Sequence, residues 1–141
     1  MPSRTTSSNA EPARIRVLVV DDNQAMLARA ASVLTATCIV VGQVQDGVAA
    51  LVAAAVLVPD VIVLDISMPG MSGLEVAAAL RAAGSVAAIV FLTVHDDAEL
   101  VAAAQAAGGI GYVIKDRLVS DLPHAVSEAS ARRPFVSVRR A

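Results

Sequence analysis

The chain has 141 residues, 56% of them hydrophobic and 17% charged, with a formal charge of −2. That length holds one domain with a substantial core and not comfortably two, the composition excludes a disordered chain, and the charge argues against a dominant nucleic-acid surface. Cys38 is the only cysteine, which excludes a disulfide framework and makes a cytoplasmic location the expectation.

Residues 1–13 are polar, lack the apolar stretch of a signal peptide, and read as a disordered leader before a domain over 14–131. The run 15–20 (IRVLVV) is rich in β-branched residues and ends at Asp21-Asp22. A helix follows over 23–36 with Asn23 placed to cap it. A second apolar run, 38–44, leads into a helix over 46–58. Its uncharged stretch 47–58 is too short to span a bilayer and reads as a buried helix.

The run 61–64 ends at Asp65 and breaks into the loop ISMPGMSG. A helix over 72–83 starts with Ser72 and Glu75 at capping-box spacing. Then come a run over 87–93 ending in Thr93, a helix over 96–107, and a run over 110–114 ending just before Lys115. The last helix, 118–132, has Pro123 early enough for a first turn. Residues 132–141 carry four arginines and read as a basic tail or linker remnant.

Continuous apolar runs fit strands buried on both faces, as in a parallel sheet. Strand and helix alternate five times, which implies right-handed crossovers with helices on both sides. The expected fold is α/β, a flavodoxin-like (βα)5 three-layer sandwich whose five-stranded parallel sheet has the order 2-1-3-4-5. In such sheets, ligands sit beyond the carboxyl ends of the strands.

At those ends stand Asp21-Asp22, Asp65, Thr93 and Lys115, the only lysine in the chain. Each alone has a bland reading as helix cap, strand end or exposed turn. With the first and third strands adjacent, however, three carboxylates share one crevice. Their repulsion calls for compensation, and a hard divalent cation such as Mg²⁺ is the simplest form of it. A compact ammonium can pair with a carboxylate or hold a phosphoryl oxygen.

The pattern VLVVDDN, VIVLDISMPGMSG, FLTV and GYVIKD resembles the receiver domain of two-component response regulators, in particular the branch whose receivers precede a LuxR-type helix-turn-helix. The resemblance covers roughly residues 14–131. It implies that Asp65 is the phosphoacceptor for a histidine kinase's phosphohistidine. Asp22, Asp65 and the backbone carbonyl of Ser67 would bind Mg²⁺, Asp21 acting mainly through a metal-bound water. Thr93 and Lys115 would hold phosphoryl oxygens. Thr93 and Tyr112 would be the switch pair, acting on the fourth helix, fifth strand and fifth helix.

Such a domain is a phosphoacceptor and not an enzyme, at most reacting with small phosphodonors and dephosphorylating itself. Its output is a partner protein or a DNA-binding domain. Family members also form homodimers through the fourth and fifth helices or the first and fifth, and these residues do not choose between them. No membrane partner is expected, nor nucleic acid for this chain alone.

Two departures from the family pattern matter. Asp116, and not the frequent proline, follows Lys115, which leaves the aim of the lysine open. Ser67 and His95 stand at the positions that tune dephosphorylation, so an altered acyl-phosphate lifetime is expected. A phosphatase of the haloacid dehalogenase type would need an aspartate where Ser67 stands. A receiver acting by binding without phosphorylation would not need the full set of acidic, hydroxyl and lysine residues.

Overall fold

Strands with apolar residues on both faces can be stable only between two layers, and this requirement organises the structure. The computed structural model describes residues 14–95 and 97–138. The expected leader, the expected helix start at Asp96, and tail residues Arg139 and Arg140 lie outside the described residues.

The sheet comprises β1 (Ile15–Val20), β2 (Cys38–Val44), β3 (Val61–Asp65), β4 (Ala88–Thr93), β5 (Gly111–Ile114) and β6 (Phe135–Val136). All pairings are parallel and the order is β2-β1-β3-β4-β5-β6. The five expected strands thus take the expected order, and a sixth extends it. Arg132, in the left-handed region at φ 61°, turns the chain so that Phe135 and Val136 pair with Gly111 and Tyr112. Part of the segment expected to be a tail is therefore built into the sheet, covering the edge of β5.

The helices are α1 (Gln24–Leu34), α2 (Gly47–Leu57), α3 (Gly73–Ala82), α4 (Ala98–Ala106) and α5 (Leu118–Ser130). Side chains of Asn23, Asp46 and Asp97 cap α1, α2 and α4 by accepting first-turn amides. Ser72 and Glu75 close a reciprocal capping box on α3. A single 3-10 turn, Lys115–Arg117, precedes α5. Because α5 begins at Leu118, Pro123 falls beyond its first turn, and not within it as expected; the missing amide leaves the Val119 carbonyl without an α-helical partner.

Alternate strand residues feed two cores. Val17, Val19, Val61, Val63, Val90 and Leu92 pack with α1 and α5 side chains such as Leu34 and Leu122. Leu18, Val20, Ile62, Leu64, Ile89 and Phe91 pack with Val76 and Leu80 of α3 and with alanines of α2 and α4. The sequence expectation of a buried α2 is corrected. Only Gly47, Ala50 and Ala54 are buried, while Val48, Val52 and Val56 are 68%, 59% and 73% exposed. A helix apolar all round carries no sign of which face meets the sheet. Here the alanine face does, because small side chains allow close approach.

At the amino-terminal end of the sheet, the Arg81 guanidinium donates to the carbonyls of Ser85, Ala87 and Gly108 and ties two connections together. No helix among the described residues is long and apolar enough to cross a membrane.

Candidate functional site

Adjacency of β1 and β3 brings Asp21, Asp22 and Asp65 together at the carboxyl end of the sheet. One carboxylate oxygen from each lies within 4.8 Å of the others. Asp21 and Asp65 are buried and Asp22 is exposed. Backbone amides hold the buried pair in place: Asn23 N–H donates to Asp21 Oδ1 at 2.9 Å, and Ser67 N–H to Asp65 Oδ1 at 3.3 Å. Asp21 Oδ2 is buried and accepts no hydrogen bond of good geometry. Such an oxygen, with two further hard oxygen donors nearby, suits a hard cation, so the cluster can hold a metal ion.

Asp65 is the last residue of β3, and the loop to α3 starts directly after it. Gly70 adopts φ 79°, a conformation that favours glycine. Gly73 begins α3 directly against the strand: its N–H donates to the Ile66 carbonyl at 2.8 Å, and a Cβ there would overlap the Asp65 carbonyl oxygen.

Lys115 emerges from β5 and answers the question of its aim. Its Nζ lies 3.0 Å from Asp21 Oδ2 and 3.2 Å from Asp65 Oδ1. No cis peptide bond is present among the described residues. Burial pushes the Asp65 carboxyl up to about 7, reinforced by the charge of Asp21 and only partly opposed by Lys115. Burial pulls the Lys115 ammonium down, but its close ionic contact with Asp21 and the charges of both aspartates outweigh this and raise it. One cation thus serves two buried carboxylates and leaves the site short of positive charge.

Thr93 ends β4, buried, and its Oγ1 accepts the His95 amide at 3.1 Å. That hydroxyl still has a proton to donate. Tyr112 is buried with its hydroxyl donating to the His95 carbonyl at 3.1 Å, so the loop after β4 is held at His95 from two sides. Ser67 and His95 have exposed side chains beside the crevice-forming residues. His124 and Cys38 take no part: His124 packs on Phe135, ring centroids 5.1 Å apart, and Cys38 is buried at the start of β2. A separate cavity of about 440 Å³ between α2 and α3 is lined by Leu51, Leu80, Val86 and small residues, with no titratable group. The chemistry therefore belongs to the strand ends.

The sequence alone does not single out Asp121 and Ser137, which hydrogen bonds tie to the backbone or side chains on both sides of Lys115. Only the pairing of β6 brings Ser137 there; the alternation in FVS after α5 is its one local signal.

A family model described as the response regulator receiver domain matches residues 17–127. A probable transcriptional regulatory protein NarL of Mycobacterium tuberculosis is 35% identical over 92% of this chain, and the chain spans only 61% of its length. The nitrate/nitrite response regulator protein NarP of Escherichia coli is 41% identical over 75% of this chain and 50% of its own length. The solved signal receiver domain of the putative response regulator NarL from M. tuberculosis is similar at a TM-score of 0.78 and 35% identity, covering 86% of this chain and all of that one.

Proposed function

The chain belongs to the response regulator receiver family of two-component signalling, and from that premise we propose that it takes a phosphoryl group from a histidine kinase onto Asp65. The observation that carries this reading is the buried Asp65 carboxylate, grouped with Asp21 and Asp22 and reached by Lys115 at 3.2 Å. Phosphoryl transfer is chiefly positioning plus stabilisation of charge on oxygen, and these residues supply both. Asp65 Oδ attacks phosphorus while the bond to the donor breaks, and the donor leaves with its electron pair. Lys115 and the Thr93 hydroxyl hold the oxygens of the transferred group.

Asp22, Asp65 and the carbonyl of Ser67 would hold Mg²⁺, with Asp21 supporting it. The metal, when bound, neutralises charge on the phosphoryl oxygens and the crowded carboxylates. Thr93 and Tyr112 form the switch, both acting on the loop at His95. Reaction with small phosphodonors and slow self-dephosphorylation, tuned by Ser67 and His95, complete the activity. The receiver spans 14–131, with Phe135 and Val136 adding an edge strand to its sheet, and acts in the cytoplasm. Names of relatives as transcriptional regulators support a second reading of the output, a LuxR-type DNA-binding partner domain or protein. A homodimer is the alternative output.

Intact mass after incubation with acetyl phosphate, with and without Mg²⁺ and beside Asp65→Asn, tests the proposal. One Mg²⁺-dependent phosphoryl addition, absent from the variant, is expected. Absence of any addition would leave a receiver that signals by binding alone.

A further inference from the structure

Lys115 has no proline after it to fix its backbone, yet its ammonium reaches both buried aspartates. What holds it lies outside the acidic crevice. On the amino-terminal side, the amide of Ile114 donates to Ser137 Oγ at 3.1 Å, in a buried bond. The regular pairing of β5 with β6 ends at Tyr112 and Val136, and Ser137 N–H donates to the Tyr112 carbonyl at 2.8 Å. The serine side chain thus continues the ladder for one more residue, up to the lysine.

On the carboxyl-terminal side, Arg117 Nε donates to Asp121 Oδ2 at 2.9 Å. That same oxygen accepts the Ser137 hydroxyl at 2.7 Å, and Ser120 Oγ meets Oδ1 at 3.0 Å. Burial pushes the Asp121 carboxyl up, but hydrogen bonds from Arg117, Ser137 and Ser120 outweigh it and hold it below the ordinary range. Asp121 therefore stands as a charged anchor. The neighbours of Lys115 are tethered to it on both sides, Ile114 through Ser137 and Arg117 directly.

We propose that Ser137 and Asp121 are positioning residues for Lys115, so that the strand leaving the domain sets where the ammonium meets the phosphoryl group on Asp65. The inference rests on the phosphoacceptor reading of Asp65. It is reciprocal, because coupling between two places in one structure runs equally both ways. A phosphoryl group that draws Lys115 toward itself pulls on Ile114, and through Ser137 on β6. The edge strand β6 is thereby coupled to the state of the site by the same bonds that aim the lysine.

The test uses the full chain with acetyl phosphate and Mg²⁺, following the initial rate of mass addition against donor concentration. Ser137→Ala is expected to lower the maximal rate about tenfold, since small displacements of an aimed group carry losses of that order. Ser137→Thr, which keeps the hydroxyl, is expected to recover most of it, and Asp121→Asn to resemble Ser137→Ala. A purely structural tether would shift melting temperature without this split between alanine and threonine.

A second measurement needs no variant: hydrogen exchange at the Ile114 amide and across 135–137, with and without beryllofluoride and Mg²⁺. Changed protection on binding is expected. Wild-type chain phosphorylated at Asp65, beside Ser137→Ala that matches its rate, would overturn the positioning role alone, as would protection unmoved by bound beryllofluoride. A wild-type chain that takes no phosphoryl group would overturn the phosphoacceptor reading, and this inference with it.

Discussion

Lys115 Nζ sits 3.2 Å from Asp65 Oδ1, yet the Asp65 carboxyl remains pushed up to about 7. The ammonium is shared with Asp21, which lies nearer at 3.0 Å, and so cannot cancel both the burial of Asp65 and the repulsion between the two aspartates. A crevice arranged in this way awaits more positive charge.

This relationship sets a pH dependence for the metal-free chain. Native Asp65 keeps its proton up to about 7, whereas the unfolded chain releases it near 3.8. Between those values the folded state binds more protons, so this contribution is full below about pH 3.8 and is lost as pH rises through 7. Asp65→Asn, neutral throughout, escapes the loss. Urea unfolding should find the two proteins alike near pH ~4 and the variant more stable by a few kcal/mol near pH ~8. Parallel curves across that range would refute the burial argument.

Removing the shared cation has the opposite effect. Lys115→Met keeps the apolar stem but leaves Asp21 and Asp65 buried and uncompensated. A loss of about 3 kcal/mol is expected at neutral pH. Mg²⁺ should restore more stability to this variant than to the wild type, as read from unfolding curves with and without the ion.

Gly73→Ala tests how tightly α3 is set against β3. Its Cβ would overlap the Asp65 carbonyl oxygen, which is backbone and cannot swing aside as a side chain can. Roughly 1–3 kcal/mol of stability should be lost. Because the displaced residue is Asp65 itself, phosphoryl uptake should fall as well. A stable variant with unchanged uptake would show that the helix start is more yielding than its geometry implies.

Ser67 and His95 offer a test of lifetime. Both side chains are exposed, while their backbones are tied to Asp65 and to Thr93 and Tyr112. Ser67→Asn with His95→Glu should change the decay rate of the phosphorylated chain and leave its folding nearly unaltered. Decay curves that superimpose would remove these positions from the reaction.

The strands were legible because fully buried parallel strands are written as continuous apolar runs, and the acidic and lysine residues because they interrupt those runs at one end. The helix caps at Asn23 and Ser72 were legible for a local reason, since cap and capped amide lie three residues apart. What failed to show was non-local or unpatterned. The facing of α2 is not encoded in a stretch without polar residues. The pairing of Phe135 and Val136 depends on an edge built far earlier in the chain, and two residues between arginines carry too little pattern to announce a strand. The aim of Lys115 follows from the same distant contact.

That contact also orders the birth of the site in time. During synthesis Asp21 and Asp22 emerge first, Asp65 and Lys115 follow, and Ser137 comes after all of them. β1 must find β3 across an intervening strand and two helices, a slow kind of closure for a parallel sheet. Only when Ser137 has docked does Ile114 gain its buried partner. A nascent chain short of that residue holds its carboxylates and its lysine with this brace missing, so the crevice is finished by the last described strand to be synthesised.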